Sequence, residues 1–82
     1  MVKDTYAPDD RLTRADLAEA LTGMGFPITR GTLDTMASRG GGPPYQLWSG
    51  RALYVWRDAL AWAERRLSAP KSSTSEIVGL SR

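Results

Sequence analysis

Apolar residues fall along this chain in three groups at helical spacing and one alternating stretch, set apart by glycine- and proline-bearing breaks. Leu17, Ala18 and Leu21 stand at i, i+1 and i+4, with Arg14, Asp16 and Glu19 elsewhere on the wheel. That spacing predicts a first helix running to about Thr22. Thr13 is placed to cap it, and Asp16 three residues later completes a capping-box pattern with a favourable dipole. "GMGFP" ends it, because Gly23 and Gly25 supply permissive backbone and Pro27 cannot donate to a continuing helix.

Thr29 is the next N-cap, and Leu33, Met36 and Ala37 at i, i+3 and i+4 predict a second helix that stops at the glycines 40–42. Two helices joined by a short glycine-containing turn form a helix-turn-helix signature. After "GGGPP", the stretch "YQLWSGRALYVW" changes period: its aromatic and β-branched content and the Ser49-Gly50 pair predict a β-hairpin, with Ala52, Tyr54 and Trp56 alternating onto one face. Asp58 then opens a third helix, "DALAWAERRL", with Ala59, Leu60, Ala63 and Leu67 on one side. The expected order is helix, turn, helix, hairpin, helix, a mostly α fold with a small β-hairpin. Residues 1–10 read as a flexible arm, residues 11–68 as the folded domain and residues 69–82 as a serine-rich tail carrying one apolar island, "IVGL".

Composition narrows the chemistry. The chain has neither cysteine nor histidine, so thiolate and imidazole metal sites and the commonest general base are excluded. The carboxylates form no catalytic set, and "GGGPPY" lacks the Gly-Lys-Ser/Thr ending of a phosphate loop. We expect no enzyme, metal or cofactor. No window approaches the roughly 20 apolar residues that span a bilayer, so the expectation is a cytoplasmic protein that does not engage a membrane. Net charge is only +2, but residues 30–71 hold seven basic and three acidic side chains against three and five in residues 1–21. Nine of the eleven basic residues are arginine, whose planar fork suits phosphate and guanine edges, although a GC-rich genome gives the same bias.

With these pieces in order, the sequence resembles the MerR-like winged helix-turn-helix domains of phage and mobile-element excisionases and small AlpA-type regulators. The matching segments are "LTRADLAEAL", "ITRGTLDTMASRG" and "GPPYQLWSGRALYVWRDALAWA", across about residues 12–67. The chain departs from the usual pattern in three places: the turn "TGMGFPI" is longer, the arginine pair of the hairpin turn is reduced to Arg51, and Arg57 stands where a serine cap is common. The resemblance implies a sequence-specific DNA-binding protein of the excisionase, or recombination directionality factor, type. Such a protein binds double-stranded DNA cooperatively beside other copies of itself, bends it, and steers a tyrosine integrase toward excision; the C-terminal tail is our expected place for that integrase to engage. A small transcription regulator is the alternative, and a protein-interaction module using its tryptophans and the "IVGL" tail is a second.

On that reading the second helix is the recognition helix, its outer face made by Thr29, Arg30, Gly31, Asp34, Thr35, Ser38 and Arg39. Gly31 is the puzzle, since glycine in a helix costs about 1 kcal/mol relative to alanine. Either it is a tolerated surface residue or it lies where a side chain would collide with DNA. Asp34 would repel phosphate, so it either accepts from a cytosine amino group or holds Arg30 at i−4, the second being favoured. Thr13 and Arg14 are candidate phosphate contacts, with plain capping the competing role for Thr13. Ser49, Gly50 and Arg51 form the wing, or an ordinary solvated hairpin tip. Of the tryptophans, Trp56 is the clearest core residue.

Overall fold

The computed structural model describes residues 6–68 and 70. The chain forms three helices and a three-stranded antiparallel sheet in the order β1 (Arg11–Thr13), α1 (Arg14–Gly23), α2 (Arg30–Arg39), β2 (Gln46–Trp48), β3 (Arg51–Val55) and α3 (Trp56–Arg65). All three expected helices and the hairpin are present. The strand β1 is new, and it pairs antiparallel with β3, giving the sheet order β1-β3-β2. None of the helices among the described residues is long and apolar enough to cross a membrane.

The core sits between the inner face of the sheet and α1 and α3. Leu12 faces Tyr54 across β1 and β3, and both are buried with Leu17, Leu21, Leu33, Trp56, Ala59, Trp62 and Ala63. α1 begins as its sequence demands: the Thr13 hydroxyl accepts from the Asp16 N–H at 3.2 Å. It ends in a Schellman turn, with the Phe26 N–H donating to the Leu21 carbonyl at 2.8 Å and the Gly25 N–H to that of Thr22 at 3.1 Å. Gly25 takes φ +97° there, a value that favours glycine.

Two features of α3 correct the expectation. The helix starts at Trp56, two residues before Asp58, and its N-cap Val55 offers no side-chain bond. Its first N–H groups are satisfied from elsewhere: Trp56 N–H donates to the Asp10 carbonyl at 2.8 Å and Arg57 N–H to that of Pro8 at 2.9 Å. Backbone carbonyls therefore do what a serine cap does elsewhere, which accounts for arginine at position 57. At the other end the helix stops at Arg65, so Leu67 lies beyond it and is exposed rather than on the inner face.

Of the arm expected over residues 1–10, the described part, residues 6–10, carries those two capping carbonyls, and the Tyr6 ring lies 5.6 Å from that of Trp56. Arg57 also bonds the Asp9 carboxylate, which raises its pKa. Apart from Pro70, the tail over residues 69–82, with its "IVGL" island, lies outside the described residues. Trp62 is core as well, its indole N–H donating to the Gly41 carbonyl at 2.9 Å and so tying the glycine loop to α3. The loop approaches closely at Gly42, where an added Cβ would stand 2.9 Å from Met36 Cβ.

Candidate nucleic-acid interface

α2 is held to the body by a narrow apolar edge. Leu33 is its one fully buried residue, and Met36 and Ala37 are half-buried. Thr29 caps it as expected, accepting from the Thr32 N–H at 3.1 Å, while the Thr29 and Thr32 hydroxyls bond each other at 3.0 Å. Arg30, Gly31, Asp34, Thr35, Ser38 and Arg39 all face solvent. At Gly31 an ideal Cβ would meet nothing closer than the Thr29 hydroxyl at 3.9 Å. Its φ also lies outside the positive range, so nothing in the fold requires glycine at this position. Thr35 is less available than its exposure implies, because its hydroxyl donates back to the Gly31 carbonyl at 3.1 Å.

Asp34 does not pair with Arg30. It accepts from Arg14 Nη1 at 2.8 Å, across the interface of α1 and α2. Arg14 Nε at the same time donates to the Tyr54 hydroxyl at 2.8 Å, and the guanidinium lies 5.4 Å from the Tyr45 ring centroid and 5.7 Å from that of Tyr54. Arg14 is thus a rivet joining α1, α2 and β3. Its pKa is raised, first by the bond to Asp34 and then by that to Tyr54, so it remains charged at any working pH. The pairing leaves Arg30 free: among the described residues Arg30, Arg39 and Arg51 have neither a hydrogen bond nor an ion pair through their side chains.

The hairpin closes through Ser49 at φ 51° and Gly50 at φ 81°, positive at both central residues as a type I′ turn demands. This places Arg51 at the foot of the tip, opposite Trp48. A surface depression of ≈ 320 Å³ is lined by Thr13, Arg14 and Ala15 of the β1–α1 junction, Arg30 of α2, and Gly50, Arg51 and Ala52 of the hairpin. Residues from positions 13–15, 30 and 50–52 therefore meet around one cationic hollow with no carboxylate in its lining. Of the candidate residues, Thr13, Arg14, Arg30, Gly50 and Arg51 come together here, whereas Asp34, Thr35, Ser38 and Arg39 lie further along α2.

Sequence reasoning missed Tyr45 and Tyr54 as the partners that hold Arg14, and Thr32 as a second hydroxyl at the start of α2. Thr32 was within reach, since it stands three residues after the cap. The tyrosines were not, because Tyr54 lies 40 residues from Arg14 and carries no local signal.

No protein-family model matches this chain, and no curated protein or solved structure matches it either.

Proposed function

We propose that this protein is a winged helix-turn-helix module that binds double-stranded DNA, with α2 in the major groove and the β2–β3 tip as the wing. The observation that carries the reading is the convergence of two unpaired arginines, Arg30 and Arg51, on one hollow between the start of α2 and the hairpin tip whose lining holds no carboxylate. Unpaired arginine at a helix N-terminus beside a projecting hairpin suits a polyanion whose backbone and groove edges must be reached together. Gly31 adds support: the fold has room for a side chain there, so its absence is explained by close approach of a partner. Within this reading Arg30 reaches a base edge or phosphate, Arg39 takes a phosphate a turn later, and Arg51 touches the backbone or an adjacent minor groove. Arg14 acts by holding α1 against α2 and by neutralising Asp34, while Thr13 caps.

More narrowly, the motif resemblance supports an excisionase role in which several copies bind side by side, bend the DNA and direct a tyrosine integrase toward excision. Control of a promoter uses the same module and is the alternative. The test is a gel-shift titration against DNA from the protein's own genetic neighbourhood at two salt concentrations, with Arg30→Ala and Gly31→Leu alongside. Site-selective, stepwise shifts lost in both variants are expected. Salt-sensitive smearing unchanged by either substitution would remove α2 as the reading element.

A further inference from the structure

The outer face of the sheet presents a second surface that the core does not use and that meets the hollow at Arg51. Strand register defines it. Leu12 and Tyr54 are paired and point inward, so the alternate positions Arg51, Leu53 and Val55 of β3 point outward, with Trp48 opposite Arg51, Gln46 opposite Leu53 and Arg11 opposite Val55. Trp48 is 66% exposed, while the other two tryptophans are buried. A depression of ≈ 580 Å³ runs beside it, lined by Arg11, Gln46, Leu47, Trp48 and Leu53. Like the hollow near Arg30, it has no carboxylate in its lining, and Arg51, which lines that hollow, stands opposite Trp48 in the β2–β3 register.

We propose that this sheet face is a further DNA contact, in which the Trp48 indole packs against the sugar edge of a strand whose phosphates are held by Arg11 and Arg51. The inference rests on the DNA-binding reading above and extends its footprint from the hairpin tip onto the sheet. Chemistry selects the occupant. The polar groups of Trp48, Arg11 and Arg51 are donors only, which fits a backbone that offers acceptors, and the indole supplies apolar area for the sugar. A second copy docking through the same face would bury Arg11 and Arg51 against a lining that holds no carboxylate to pair with them, which disfavours it. The contact reads backbone and not bases, so it operates on DNA of any sequence.

The experiment titrates the full chain with a fluorescein-labelled duplex of arbitrary sequence at low salt, following anisotropy for binding and acrylamide quenching of tryptophan emission for contact. Because Trp56 and Trp62 are buried, the quenchable emission belongs to Trp48, and Trp48→Phe removes it. Saturating duplex is expected to protect the wild-type emission. Trp48→Ala is expected to bind roughly tenfold more weakly, by analogy with aromatic contacts to nucleotides, with Trp48→Phe recovering most of the loss. Rising anisotropy with unchanged quenching and full affinity in Trp48→Ala overturns the sheet-face contact and leaves DNA binding by α2 standing. Absence of any anisotropy rise defeats both. Protection of Trp48 on concentrating the protein without DNA overturns the proposal in favour of self-association.

Discussion

Gly31 and Arg14 show how differently single residues contribute to the same surface. Replacing Gly31 by alanine adds a methyl group whose nearest neighbour is the Thr29 hydroxyl at 3.9 Å, an ordinary contact, and removes the entropic disadvantage of glycine. Gly31→Ala should therefore stabilise the free protein by up to about 1 kcal/mol, read as a higher urea midpoint, while Gly31→Leu should retain the fold and lose DNA affinity in a gel shift. A loss of stability in the alanine variant would mean that glycine serves the fold itself. Arg14 gives the opposite case. Arg14→Ala withdraws the partner of the buried Tyr54 hydroxyl as well as that of Asp34, and should cost roughly 1–3 kcal/mol. Asp34→Ala removes only a half-exposed pair and should cost about 0.2–1 kcal/mol. A double-mutant cycle on thermal unfolding separates the two. Local reasoning assigned Asp34 to Arg30 because i−4 is the neighbour visible in a linear chain. The actual partner lies 20 residues away, across a helix–helix contact whose existence, but not its pairing, follows from periodicity.

At the scale of elements, legibility follows how each one is terminated. α1 and α2 carry their own hydroxyl caps, Thr13 and Thr29, and glycines just past their ends, and both could be placed from sequence within a residue or two. α3 is capped by carbonyls of Pro8 and Asp10, a signal that resides in tertiary structure, so its first turn was missed. β1 has three residues, too few to show an alternating period, and exists because Leu12 buries against Tyr54. The hairpin was legible because Ser49-Gly50 is turn chemistry of a recognisable kind. Among the three helices α2 is the most weakly anchored, with one fully buried side chain against four buried residues in each of α1 and α3. Leu33→Ala should therefore cost about 2–5 kcal/mol, and at temperatures where the fold survives it should free α2 before α1 or α3. Hydrogen exchange of α2 amides measures this: faster exchange confined to residues 30–39 is expected, whereas uniform acceleration would show that α2 opens only with the whole domain.

For the molecule as a whole, the proposed DNA binding rests on few charge contacts. The side chains free to meet phosphate on or beside the proposed face are Arg11, Arg30, Arg39 and Arg51, since Arg14 is committed internally. Four phosphates neutralised by one copy correspond to a slope of about −3.6 in log K against log salt, a shallow dependence and a modest affinity for a lone module. On the proposed reading, copies on adjacent sites remedy this, because each bound neighbour raises the effective concentration of the next. Salt titrations on a duplex holding one site should thus give the shallow slope, and Arg30→Ala should reduce its magnitude by about 0.9. On a duplex holding several sites, the slope per bound copy should stay the same while affinity rises, because the gain comes from contacts between copies and not from additional phosphates. A slope per copy that steepens with site number would instead mean that DNA bending recruits cations idle in the single-site complex, and Arg65 and Arg66 at the end of α3 would be the first to substitute.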